Sequence, residues 1–233
     1  MIHTTNVVWY GEISVQFLFC LYLVWTRLGR DFPTFTSCLA CAVLRSVAAI
    51  YFMRGAVGAL LPLSYTYFWL WSQPVWLLLL IAVALEVHRK IWKDQASVVR
   101  QTRPLLLVAL LVAVTFAALP LRYSEANQTA SSRLIALMHF EIQATQYISS
   151  VLAVFLLLSA VIYFTTIHDA WQKSIWRHEG MLAVYFGVYA TASFIIELDW
   201  FRTPLVNGYI AAALTLCFVA WITIFQPHEV SNS

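Results

Sequence analysis

Charge is what this sequence has least of. Only 11% of its 233 residues are Asp, Glu, Lys or Arg, against about a quarter in a water-soluble domain. That shortage excludes an ordinary hydrated surface, and a dispersed net charge of +3 excludes the basic patch that nucleic acid requires. Cysteine is also sparse. Cys20, Cys38, Cys41 and Cys217 all lie in or beside apolar runs, so they frame no extracellular disulfide scaffold. Cys38-x-x-Cys41 opens an apolar helix instead of following a soluble strand, which sets a redox role aside. Long polar connections are missing too: the links between apolar runs are short, and only eight residues follow Phe225. No kinase, nucleotide-binding or DNA-binding domain is expected.

What is abundant is apolar surface. The chain is 61% hydrophobic and 15% aromatic, with ten Trp, and its mean hydropathy is +0.76. Seven runs stand out: Val7 to Trp25, Phe35 to Met53, Leu60 to Val87, Pro104 to Leu121, Leu134 to Thr166, Met181 to Leu198 and Pro204 to Phe225. A hydrocarbon core about 30 Å thick needs about 20 helical residues, so each run is adequate for one crossing. Alternation is lacking, which argues against a barrel. The expectation is one all-α domain over residues 1–233, a bundle of seven transmembrane helices. The third and fifth runs exceed one crossing and must tilt, kink or project. Pro74 supplies a kink, because its ring removes a backbone donor. The first run is expected to stay, since no basic segment precedes it and Glu12 and Gln16 interrupt it. Overlaying the first three runs on the last three shows no internal duplication of the kind many carriers have.

Orientation follows from the basic residues. One set of alternate loops carries Arg27, Arg30, Arg89, Lys90, Lys93, Arg100, Arg103, Lys173 and Arg177, and the other carries Arg54, Arg122, Arg133 and Arg202. The positive-inside rule therefore predicts an external N-terminus and a cytoplasmic C-terminus. Asn127-Gln-Thr129 would be an external glycosylation sequon in a secretory eukaryotic setting.

Ionisable and amide side chains inside a bilayer are costly, so each is a candidate site. Glu12 and Gln16 share a helix face in the first run, and Arg45 lies midway along the second. An antiparallel neighbour would bring Arg45 to Glu12, either as a structural ion pair or as part of a ligand or proton site. In the fifth run His139, Gln143, Gln146 and Ser150 stack on one face, whereas Glu141, about 200° from His139 at 100° per residue, points elsewhere. Lipid cannot satisfy that stripe, so it is expected to face helices or water, as interhelical glue or as a pocket wall. Tyr65, Trp69, Ser72, Gln73 and Trp76 form a matching surface on the third run. Tyr185, Tyr189 and Asn207 are placed to complete it. Trp69, Gln73, His139, Gln143, Gln146 and Asn207 are the expected ligand-binding residues, in an aromatic-walled cavity suited to a small neutral or weakly polar ligand.

Other chemistry is not expected. Trp69-x-x-Ser72-x-Pro74 looks faintly like part of a microbial rhodopsin third helix, but the likeness to opsins is one of topology. Every lysine lies in a predicted cytoplasmic loop, and a retinal Schiff base needs an amine inside the bundle. Phe68 also stands where a counter-ion carboxylate would be needed. Bis-histidine haem needs deep rings, whereas His88, His168 and His178 are expected in cytoplasmic loops and His139 at an interface. No metal-ligand spacing is present. His168, Asp169, His178 and Glu179 read as a wet loop, Glu197, Asp199 and Arg202 as a solvated loop cluster, and Glu86 as a helix-end residue without special role. The expected protein has no enzymatic activity, cofactor or metal. It sits as a multi-pass protein in a plasma or bacterial inner membrane, binding a small molecule or a membrane partner in the outer half of its bundle, as a receptor-like or sensory subunit. A small-molecule carrier and an accessory subunit of a larger complex are the competing classes. The expected partners are lipid, a small-molecule ligand, and a membrane protein or second copy of the chain.

Overall fold

A computed structural model describes residues 2–26, 28–53, 63–123, 130–167, 175–198 and 203–224. The described residues are all-helical: α1 Ile2–Trp25, α2 Leu28–Asp31, α3 Pro33–Met53, α4 Leu63–Ile91, α5 Ala96–Tyr123, α6 Ala130–Thr166, α7 Ile175–Leu198 and α8 Thr203–Ile224. Five segments, within α3, α4, α5, α6 and α7, are long and apolar enough to cross a membrane. α1 and α8 contribute the shorter apolar stretches Tyr10–Trp25 and Ala211–Thr223. This is the architecture of a multi-pass membrane protein. Its exterior is apolar: on α5, Leu111 is 68% exposed and Leu105, Val108 and Phe116 are comparably open, a surface water would not tolerate and lipid does.

Helix ends depart from the apolar runs. α5 starts at Ala96, eight residues before Pro104, and α7 starts at Ile175 rather than Met181. Hydropathy marks the hydrocarbon core, whereas helix hydrogen bonding continues into the interface until something stops it. Between α4 and α5 a tight turn, with Gln95 N–H donating to Trp92 O at 3.0 Å, leaves only four residues unwound. α6 has 37 residues, about 55 Å at 1.5 Å per residue, so it projects or tilts as expected.

Six helices close a ring in the order α1, α3, α4, α6, α7, α8, with α8 returning to α1. α5 lies outside it against α6, and α4 also reaches α7 across the middle. At the end carrying most of the basic residues, the interior is aromatic. Phe35 and Trp221 rings lie 4.7 Å apart, and Phe19 and Phe218 pack beside them.

Lipid tails are as apolar as leucine, so burial does not hold helices together here; close packing and polar ties do. Glu86 is one such tie. Its Oε1 and Oε2 accept the N–H groups of Thr34 and Phe35 at 3.2 and 3.0 Å, capping the first turn of α3 from α4. The free N–H groups and positive dipole end of a helix favour a carboxylate there. Glu86 thus has a specific structural role that its helix-end position did not announce.

Candidate functional site

Arg45 is the centre of the polar groups in the middle of the ring. Its Nε donates to Ser72 Oγ at 3.1 Å and its Nη2 donates to Gln73 Oε1. Gln73 passes the chain on, donating from Nε2 to Thr145 Oγ1 at 2.7 Å, and Thr145 donates to the Glu141 carbonyl at 2.7 Å. Three helices, α3, α4 and α6, are tied by one run of donors and acceptors. The guanidinium carbon lies 4.5 Å from the Trp69 ring centroid and 5.8 Å from that of Trp76, where the negative faces of the rings attract it. The third-run surface is therefore assembled as the periodicity predicts. Tyr65, Trp69 and Ser72 are half-buried on it, and Gln73 and Trp76 are buried. Tyr185 and Tyr189, whose rings are 5.1 Å apart, reach the same layer from α7, with Arg45 in electrostatic range of both.

The expected Glu12–Arg45 ion pair does not form. Glu12 Oε1 accepts from Gln16 Nε2 at 2.9 Å within α1, and Arg45 makes no ion pair among the described residues. Tyr189 is in electrostatic range of both groups. Similar depth in adjacent helices does not guarantee similar azimuth, and Arg45 turns toward α4.

The stripe on α6 also needs correction. The deeply buried face of α6 runs through Glu141, Thr145, Ser149, Leu152 and Leu156. His139 is exposed, while Gln143, Gln146 and Ser150 are half-buried on the flank. The face with the small groups Ala144, Thr145 and Ser149 lets α4 and α7 approach closely, which a column of three large polar groups would prevent. Glu141, set apart by its angle, is the carboxyl that enters the bundle, and its Oε2 is buried without a hydrogen bond, as is Oε1 of Gln146. Trp69 and Gln73 thus meet Arg45, whereas none of the hydrogen bonds from Arg45 goes to His139, Gln143 or Gln146. The side chain of Asn207 lies outside the described residues.

The largest correction lies at the basic end. His88, His178 and Glu179 are buried inside the bundle, not in wet loops, because α4 continues to Ile91 and α7 begins at Ile175. His178 Nδ1 accepts the Trp221 indole N–H at 2.8 Å. Among the described residues no group of three or more His, Cys, Asp or Glu side chains is set to hold a metal. His168 and Asp169 lie outside those residues.

The fold and polar centre define the class, a polytopic helical membrane protein with an intramembrane arginine. The chain matches no protein-family model, no curated protein and no solved structure.

Proposed function

We propose that the Arg45 centre binds a small molecule and that the protein is a receptor-like or sensory membrane subunit. The observation that carries this reading is a guanidinium inside the bundle that makes no ion pair among the described residues, half-buried, stacked on Trp69 and in electrostatic range of the Glu141 carboxyl. Among the described residues two of its donor nitrogens are engaged, by Ser72 and Gln73, whereas a guanidinium offers five N–H groups in a planar fork. A carboxylate or carbonyl oxygen of an entering ligand completes that fork, and Trp69, Tyr65 and the tyrosines of α7 supply aromatic contact. The protein performs no catalysis in this reading.

The proposed setting is a bundle of seven spans, α1 and α8 included, with the N-terminus outside. The basic end, with Arg89, Lys90, Arg100 and Arg103, then faces the cytoplasm. A reporter fused after Phe225 should read cytoplasmic and one inserted at Asn127 external. The opposite pattern would invert the sidedness of the Arg45 centre.

Mass spectrometry of small molecules retained after mild extraction tests the binding. The wild-type protein should keep a species that Arg45→Gln holds at least about tenfold less tightly, since hydrogen bonds to a charged group contribute about 1.5 to 3 kcal/mol. Equal retention by a folded Arg45→Gln protein, or no retained species in the wild type, would end this reading. Labelling of the centre from both sides of the membrane, rather than one, would mark a carrier.

A further inference from the structure

The basic end holds a second set of buried polar groups that the Arg45 centre does not use. Glu179 of α7 is 0% exposed, and neither of its carboxyl oxygens makes a hydrogen bond. Its Oε1 lies 3.7 Å from Nδ1 of His88, a ring that is itself 1% exposed. Nδ1 also lies 2.9 Å from Ser159 Oγ, and Nε2 lies 2.8 Å from Thr102 Oγ1. Four helices, α4, α5, α6 and α7, meet at one imidazole.

The hydroxyls assign the tautomer. Thr102 donates its proton to the Val98 carbonyl at 2.8 Å, so its oxygen accepts from His88, and the ring proton of neutral His88 sits on Nε2. Nδ1 then carries a lone pair, turned toward Ser159 and Glu179. Ser159 accepts the Trp92 indole N–H at 2.8 Å. An ionised Glu179 in this site would be a buried charge whose polar neighbours are the Ser159 hydroxyl and the His88 ring, a shortage of donors that membrane interiors penalise by several kcal/mol. A basic nitrogen beside it offers a place for its proton.

We propose that Glu179 and His88 share one exchangeable proton, making the basic end of the bundle an intramembrane proton-binding site. With the proton on Glu179 both groups are neutral. On transfer, the O–H bond at the carboxyl breaks and an N–H bond forms at Nδ1, leaving a carboxylate facing an imidazolium. Net charge is unchanged and nothing is oxidised or reduced. Thr102, half-buried in the second turn of α5, connects Nε2 to the end of the bundle, where protons enter and leave.

Ser159 is the third member of the site, since its hydroxyl meets His88 Nδ1 and acts on Glu179 as well. On α4, Lys90 turns to the Phe32 ring at 4.3 Å and Arg89 is exposed. On α5, Arg100 and Arg103 are exposed and Thr102 alone faces the ring. α6 contributes Ser159 and, across the Trp92 indole, Tyr163. On α7, His178 is occupied by Trp221 of α8, and Arg177 lies near the Trp176 ring. Among the described residues His88 is the one titratable group acting directly on Glu179.

Infrared difference spectroscopy of the full-length protein in lipid nanodiscs, titrated with pH, tests the site. A carbonyl stretch of a protonated carboxylic acid should be present, should disappear in Glu179→Gln and should persist in Glu141→Gln. Its midpoint should belong to the pair and not to the carboxyl alone. In His88→Gln the midpoint of the carboxyl band should move by roughly one pH unit or more. A band unchanged in Glu179→Gln, or a midpoint unmoved by His88→Gln, overturns the proposal. If Glu179→Gln does not fold, His88→Gln with ¹³C-labelled glutamate decides: an acid band that shifts with the label must change its midpoint between wild type and His88→Gln, and an unmoved midpoint overturns the site.

Discussion

Gln73→Leu is expected to be among the most damaging single substitutions in the bundle, costing about 2 to 4 kcal/mol in reversible unfolding from lipid or detergent. Gln73 is buried and accepts from Arg45 with one end of its amide while donating to Thr145 with the other. Leucine fills a similar volume and suits lipid, so the loss comes from what it leaves behind. The guanidinium loses an acceptor where water does not replace it, and Thr145 loses a donor. Removing one partner of a buried charged contact is worse than removing both. Arg45→Met should therefore rescue part of the damage, and the double variant should cost less than the sum of the two single changes. Additive costs would show that Arg45 and Gln73 do not interact. The Arg45 centre would then lose the support that holds its guanidinium against Trp69.

Five of the seven expected spans, those within α3 to α7, were legible in the sequence because a bilayer demands about 20 apolar residues and leaves few other solutions. Helix ends were not, since α5 from Ala96 to Arg103 and α7 from Ile175 to Gly180 are helical although they carry Arg100, Gln101, Arg103, Arg177, His178 and Glu179. Charge density there looks like loop on a hydropathy scale, and that is why His88, His178 and Glu179 were placed in water. Periodicity correctly grouped Tyr65, Trp69, Ser72, Gln73 and Trp76, because a helix fixes the angle between its own residues. It could not say which face of α6 turns inward, nor toward which neighbour Arg45 points. Those depend on azimuths between helices, and the partners lie 27, 28 and 72 positions apart in Arg45–Ser72, Arg45–Gln73 and Gln73–Thr145. The capping of α3 by Glu86 is of the same kind, since a carboxylate 51 or 52 residues from its donors leaves no local signature.

At the basic end, Ser159→Ala should cost about 2 to 4 kcal/mol, two buried hydrogen bonds with about 1 to 2 kcal/mol for each group left unpaired. One hydroxyl there serves two neighbours, accepting the Trp92 indole N–H at 2.8 Å and meeting His88 Nδ1 at 2.9 Å. Alanine removes a single oxygen, too little volume for water to enter without polar company, so the indole N–H stays buried and empty-handed. The cause can be separated from loss of packing. Trp92→Phe keeps an aromatic ring against Tyr163, whose centroid is 5.5 Å away, and carries no N–H to leave unpaired. In the Ser159→Ala background, Trp92→Phe should therefore cost less than it does alone, in thermal unfolding followed by a probe other than tryptophan emission. If Ser159→Ala is as stable as the wild type, Trp92 and His88 find other partners there, and the hydroxyl is not the tie that joins α4 to α6 at this end.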